Sequence, residues 1–435
     1  MRRSAAGTLP TLPAILGPGV DNIPQIQHFV LVIMENHSFD NVLGSLARPG
    51  IDGLTFDAHG IALNSNPDDK GSPVSAFHLP TTCQDNNHVG QSWNTSHLCW
   101  NFGQNDGFVK QCGNAAMGYY TAADLPVMHA LASVYPICNR WFCATMCQTY
   151  PNLLFSFAAT SQGAIATDTT ERIGASAPAA GTIFDSLTKA GVSWKNYAVD
   201  LGDTMLWGPA YFASIAPGHF FPIADFYADA AAGTLPAFSV ISPEAFEVSE
   251  ENPQNVDLGE TFVWSVVTAL FASPAWSSTA LLITYDEHGG YYDHVPPVGL
   301  PAPDDIPPEL AKYGATSFGD SFTYSGFRVP TILVSPWARA NYVSNTVYDH
   351  TSIMRFLEYK YGLAPLTRRD GAATATVLDS SGNVVDVVAH GNMTDLFDFS
   401  GAPAFPSPLL LPPPPVVESE VACLEQNETG INTSP

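Results

Sequence analysis

Basic residues are scarce: 16 Lys and Arg stand against 41 Asp and Glu in 435 residues, a formal charge of −25. That sign is wrong for a chain that wraps the phosphate backbone of nucleic acid, so a nucleic-acid scaffold role is set aside. Charge of either sign is sparse. Charged residues make up 13% of the chain, about half the usual ~25%, so Ser, Thr, Asn, Gly and Pro must cover the surface. Neutral polar groups do not titrate as pH falls, which suits a secreted, periplasmic or acid-exposed protein. No run of about eighteen apolar residues occurs, so no transmembrane segment is expected. The first residues carry Arg2 and Arg3, but Pro10, Pro13 and Pro18 break the stretch after them, and no signal peptide is evident. No two of the seven cysteines have the C-x-x-C spacing of a zinc site. Disulfides and buried free thiols both remain open. The nucleophile elbow G-x-S-x-G, the zinc helix H-E-x-x-H, the phosphate loop and G-x-G-x-x-G are all missing, which removes serine α/β-hydrolases, zincins, P-loop NTPases and dinucleotide enzymes.

What is present is ample core material, with 46% hydrophobic and 11% aromatic residues. The stretch Ile26 to Met34 is a short apolar run bounded by Pro24 and Glu35, which fits a strand buried on both faces. Phe238 to Ile241, Ala280 to Tyr285 and Val329 to Val334 read the same way. Helical patterns lie between them. Thr182 to Ala190 opens on a T-x-x-D box, Asp257 is expected to cap a longer helix with Glu260 three residues on, and His350 to Tyr361 has Ile353, Phe356, Leu357 and Tyr361 on one face. Alternating strands and helices imply an α/β fold with a mostly parallel central sheet and helices on both sides. The long loops Ser45 to Gln104 and Val295 to Gly326 would form a loop-rich cap. One domain is expected over residues 20–400, followed at 401–435 by a Pro-rich spacer and polar tail.

Ligands in open α/β sheets bind beyond the carboxyl ends of the strands. Glu35 and Asn36 follow the first run, and Asp286 and Glu287 follow the third. Three carboxylates and an amide oxygen are hard ligands suited to Mg²⁺, Ca²⁺ or Mn²⁺. His88, His97, His288, His294 and His350 stand in polar segments rather than on apolar stripes, where acid/base work or oxyanion stabilisation is possible. Gln148-Thr149-Tyr150-Pro151-Asn152 is a turn that could hold a hydroxyl against a metal.

Six segments in order, FVLVIMENHSFDNVLG, WNFGQNDGFV, NRWFCATMCQTYPN, ALLITYDEHGGYYDHVPP, RVPTILVSPWAR and VYDHTSIMRFLE, resemble the phosphoesterase family of bacterial acid phosphatases and non-specific, phosphatidylcholine-preferring phospholipases C. The resemblance spans roughly residues 25 to 365. It implies an alkaline-phosphatase-like α/β/α sandwich, a divalent metal on Glu35, Asn36, Asp286 and Glu287, and Thr149 as nucleophile. It further implies that His350 and His88 contact phosphoryl oxygens or donate protons, with His294 and Asp349 in lesser roles; His97 competes with His88. Three positions depart from the family pattern. His37 and Leu153 stand where Arg is usual, and Glu251-Asn252-Pro253 replaces Asp-His-Pro, removing a histidine. The expected activity is an acid phosphatase acting on phosphate monoesters through a phosphothreonine, since the chain ends soon after the catalytic region and shows no basic membrane-docking stretch. The alternatives are phospholipase C on phosphatidylcholine-type lipids and a non-catalytic phosphate-binding protein of the same fold. Oligomeric state is left open.

Overall fold

The computed structural model describes residues 17–84, 89–168, 176–200, 202–243 and 248–417. Eight strands form the central sheet: β1 His28–Met34, β2 Ile137–Cys138, β3 Trp194–Ala198, β4 Phe220–Pro222, β5 Phe238–Ser242, β6 Thr279–Tyr285, β7 Thr331–Val334 and β8 Val343–Ser344. The helices that bear on the core and the site are α1 Phe39–Leu43, α2 Trp93–Trp100, α3 Phe108–Cys112, α4 Pro126–Val134, α5 Thr149–Ala158, α6 Ile183–Lys189, α7 Ile223–Ala232, α8 Val256–Ala272 and α9 Thr351–Tyr361. The strand order is β8-β2-β7-β6-β1-β5-β3-β4. Only β7 runs against its neighbours, β6 and β2. The expected α/β class with a mostly parallel sheet is what forms.

Strand alternation shows directly that both faces are covered. Phe29, Phe238 and Trp194 stand opposite one another in register on one face. There Phe356 of α9 meets Phe29 at 4.8 Å, and Phe184 of α6 meets Trp194 at 4.6 Å between ring centroids. Tyr197, three residues from Trp194 and so on the other face, meets Phe226 of α7 at 5.7 Å, and α7 packs on α8. The architecture is therefore an α/β/α sandwich, and every residue of β1 after His28 is buried.

One helix boundary differs from the sequence reading. Thr182 caps α6 through the expected box with Asp185, but α8 is capped by Asn255, whose side chain accepts from the Asp257 N–H at 3.0 Å. Asn255 is two residues upstream of the expected Asp257, which instead places its charge inside the positive first turn. Because β7 is antiparallel, its carboxyl end points away from the ends of β1 and β6. Asp349 and His350 reach the site end through a separate two-residue strand, Tyr348–Asp349, which pairs with Trp141–Phe142.

Candidate active site

Strands β1 and β6 are parallel neighbours in register, with Met34 opposite Tyr285. The ladder continues past them, because the Asp286 N–H donates to the Met34 carbonyl at 2.9 Å. Glu35-Asn36 and Asp286-Glu287 consequently leave the sheet at the same height. The Glu35 N–H donates to the Ser249 carbonyl at 2.7 Å, which draws in the segment after β5 that carries Glu251 and Asn252. Three adjacent strands thus deliver their loops to one place.

Two glycines permit the closeness. Gly289 has φ +65 and Gly290 φ +83, and a Cβ on Gly289 would lie 1.9 Å from the Asn36 carbonyl oxygen. A Cβ on Gly290 would lie 2.7 Å from the Gly90 carbonyl oxygen. No side chain fits either place, and L-residues avoid that backbone region.

Asn36 is the hub. Its Nδ2 donates to Glu287 Oε1 at 2.6 Å, to Gln91 Oε1 at 2.5 Å and to Thr149 Oγ1 at 3.3 Å. The Thr149 hydroxyl stands close enough to Asp286 to oppose the upward push of burial on that carboxyl. Thr149 is 5% exposed and opens α5, where the helix N-terminus favours an anion. Asn152 fixes that start: its Nδ2 donates to the carbonyls of Thr145, Cys147 and Gln148, and its Oδ1 accepts from the Thr145 N–H at 3.0 Å. On the far side of Glu287, His288 Nδ1 lies 3.0 Å from Oε2.

The electrostatics are those of crowded acids. Glu35 is raised well above the carboxylate range by burial and then by repulsion from Asp286, Glu251, Asp203 and Glu287. Asp286 is raised by burial and by Glu287, and Glu287 is pushed up to about 8, chiefly by burial. Asn36 Oδ1 and Asp286 Oδ2 are buried with no hydrogen-bond partner. Orphaned oxygens beside mutually repelling carboxylates are the donor set a hard divalent cation takes, so Glu35, Asn36, Asp286 and Glu287 fit a metal.

Among the described residues, the one trio of His, Cys, Asp or Glu side chains whose ligand atoms all lie within 4.8 Å of one another is a different group, Asp40, Asp293 and His294, and it already holds a cation of its own. The buried Arg328 guanidinium donates to Asp40 at 3.0 Å and to Asp293 at 2.7 Å. His294 contacts Asp40 at 2.7 Å and Asp52 at 3.3 Å. Burial alone would lower its pKa, but those two carboxylates hold it at about 10.

The remaining sequence candidates serve mainly as supports. His350 accepts at Nδ1 from Trp141 Nε1 at 3.3 Å, so its proton sits on Nε2 and goes to the Asp286 carbonyl at 2.5 Å; burial lowers its pKa to about 4. Asp349 is sealed between Arg369 and His390, at 3.2 and 3.1 Å. His97 lies in the interior against the Trp93 carbonyl and Asp320. His88 is outside the described residues. His37 stacks on Tyr291 at 4.9 Å, its ring nitrogens facing Asn41 Oδ1 and the Glu250 carbonyl, and Leu153 packs in the main core. Sequence reasoning missed Gln91, which carries no motif. Glu251 was visible only as part of the Glu251-Asn252-Pro253 departure.

Residues 26–364 match the phosphoesterase family. Non-specific phospholipase C1 of Arabidopsis thaliana is 33% identical over 384 residues, covering 80% of this chain and 69% of that protein. Phospholipase C B of Mycobacterium tuberculosis is 28% identical over 442 residues, covering 89% and 80%. Among solved structures, a protein of the alkaline phosphatase superfamily from Vibrio parahaemolyticus aligns over 90% of this chain and 95% of its own, with 11% identity and a TM-score of 0.34.

Proposed function

The chain belongs to the phosphoesterase family, and on that premise we propose that it is a phospholipase C that cleaves the glycerol–phosphate bond of choline-type phospholipids. It is a phosphoric ester hydrolase, and what supports a lipid substrate over a phosphate monoester is that the Arabidopsis and Mycobacterium relatives carry phospholipase C names. The observation that carries the chemistry is the Thr149 hydroxyl at a helix start, bonded to Asn36 beside the orphaned buried oxygens of Asn36 and Asp286.

Thr149 Oγ1 attacks phosphorus, the bond to the glycerol oxygen breaks, and diacylglycerol leaves; water then releases phosphocholine from the threonine. Asp286 orients the hydroxyl and Asn36 fixes its position, while the first turn of α5 favours the anionic phosphoryl group. Glu35, Asn36, Asp286 and Glu287 would hold a divalent metal, which when bound supplies Lewis-acid polarisation and a lower pKa for the hydroxyl. His350, its Nε2 proton committed to the Asp286 carbonyl, is a positioning residue, and His88 is left as the proton donor to the leaving oxygen. His294 and Asp349 act as charge-paired struts.

Exposed apolar side chains also suit a substrate presented by a lipid surface. Leu98 and Phe102 are 42% and 50% exposed, and Val384, Val385 and Val387 about 60%. Gly103 lies against Asp379 and Ser380 at the tip of the hairpin that bears those valines, so both groups share one region. The charge of −25 opposes anionic bilayers and directs this region to zwitterionic lipid. No helix among the described residues is long and apolar enough to cross a membrane. The disulfide-bonded Cys83 supports export to an oxidising compartment.

Turnover of p-nitrophenyl phosphorylcholine and p-nitrophenyl phosphate, with and without chelator, tests the reading. Preference for the choline diester, lost on chelation, is expected. Preference for the monoester returns the assignment to acid phosphatase, and absence of any turnover that Thr149→Ala abolishes leaves a binding protein.

A further inference from the structure

Cys99, near the end of α2, and Cys112, the last residue of α3, are both unbonded, and their sulfurs lie 3.8 Å apart. They sit in a small apolar cluster with Val89, Trp100, Phe108, Tyr291 and Phe327. Among the described residues no other two free thiols are in hydrogen-bonding contact. A disulfide needs about 2.05 Å between sulfurs, an approach that side-chain rotation can supply, and Gly113 with φ +71 follows Cys112 with no side chain to resist a small shift.

The pair also stands next to the active site. Cys112 Sγ donates to the Gly90 carbonyl at 3.4 Å, and Gly90 is the backbone that Gly290 approaches so closely that no Cβ fits between them. One residue on, Gln91 accepts from Asn36. The sulfur of Cys112 therefore lies against the strip of chain on which the Asp286–Gly290 loop is seated, and its S–H bond to Gly90 is given up when the crosslink forms.

We propose that Cys99 and Cys112 are joined by a disulfide that fastens α2 to α3 beneath residues 89–91. Formation breaks two S–H bonds and makes one S–S bond. The two electrons and two protons pass to a disulfide oxidant, either a thiol–disulfide oxidoreductase or a small-molecule disulfide. Cys112, at 9% the more exposed of the two residues, forms the mixed disulfide, and the Cys99 thiolate displaces the oxidant's thiol. The crosslink closes a loop of about a dozen residues, a size for which the chain-entropy account gives appreciable stabilisation.

The test is peptide mapping of full-length protein purified without reductant from an oxidising compartment, alkylated under denaturing conditions and cut with chymotrypsin. Cleavage at Trp93, Trp100, Phe108 and Tyr119 separates the two cysteines from each other and from Cys83 and Cys138. A crosslinked pair of peptides carrying Cys99 and Cys112, lighter by two hydrogens than the reduced peptides, is expected. Alkyl groups on both residues would overturn the proposal. A second measurement controls for Cys83, which is itself disulfide-bonded. Reductant should lower the thermal midpoint of the wild type by a few degrees more than that of the Cys99→Ser, Cys112→Ser double variant, and equal shifts in the two proteins count against the crosslink.

Discussion

Thr149 has its hydroxyl held by Asn36, whose Nδ2 donates to it at 3.3 Å. Removing it deletes the attacking atom while leaving every strand and helix contact in place. Thr149→Ala should therefore lose at least about 10³-fold in kcat with a thermal midpoint within a degree or two of wild type, and Thr149→Ser should recover part of the rate. Activity unchanged in the alanine variant would remove the threonine from the mechanism. Gly289 is the contrasting case, since its role is closeness rather than chemistry. A methyl group 1.9 Å from the Asn36 carbonyl oxygen, at φ +65, forces the two loops apart. Gly289→Ala should cost roughly 2–4 kcal/mol of stability and weaken metal binding as well as turnover; calorimetric titration of the purified variant with Ca²⁺ or Mg²⁺ checks it. At this scale Glu35, Asn36, Asp286 and Glu287 were legible because hard-ligand side chains followed apolar runs. Gln91 was not, because an amide that acts by hydrogen-bonding another amide leaves no pattern in the chain.

Helix α5 shows how an element places the proposed nucleophile. Its start is tied down by the Asn152 side chain through four bonds to residues 145, 147 and 148, in a turn that is buried except at Gln148. Asn152→Ala takes away the acceptor of the Thr145 N–H and the amide donor to the Cys147 and Gln148 carbonyls, while the Thr145 carbonyl keeps the Cys147 N–H; buried polar groups cost about 1–3 kcal/mol each when unpaired. We expect a stability loss of roughly 2–4 kcal/mol with a fall in kcat, whereas Asn152→Asp, which keeps the acceptor for the Thr145 N–H, should lose less stability; denaturant midpoints and initial rates separate the two. Four of the eight strands, β1, β5, β6 and β7, were readable as apolar runs because burial on both faces leaves no alternation to interpret, whereas β2, β4 and β8 are only two or three residues long and β3 carries Lys195 and Asn196. The direction of β7 was not, since an antiparallel strand and a parallel one carry the same composition and differ only in what their connections do. Likewise Asn255 and Asp257 are both good capping types, and only the backbone decides between them.

Across the whole molecule, the acidic composition and the buried acids have to be read together. Glu287 and Glu260 are each pushed up to about 8, in both cases first by burial, and Glu35, Glu250 and Asp286 are raised as well. A carboxyl whose folded pKa lies above its unfolded value of about 4.5 binds its proton more tightly when folded. Its contribution is complete below about pH 4.5 and is lost as pH rises through the folded value near 8. His350, lowered to about 4 by burial, has the opposite sign and erodes stability as pH falls from 6.5 toward 4. The raised carboxyls outnumber His350, so the metal-free protein should be most stable near pH 4.5 and lose stability steadily toward pH 8. A divalent cation at Glu35, Asn36, Asp286 and Glu287 displaces those protons, so it should raise the thermal midpoint more at pH 8 than at pH 5. Thermal scans across that range, in chelator and then in excess Ca²⁺ or Mg²⁺, measure both effects at once. A midpoint in chelator that is flat or rises toward pH 8, or a cation effect that is larger at pH 5, would mean that the crowded carboxylates are not where the cation binds.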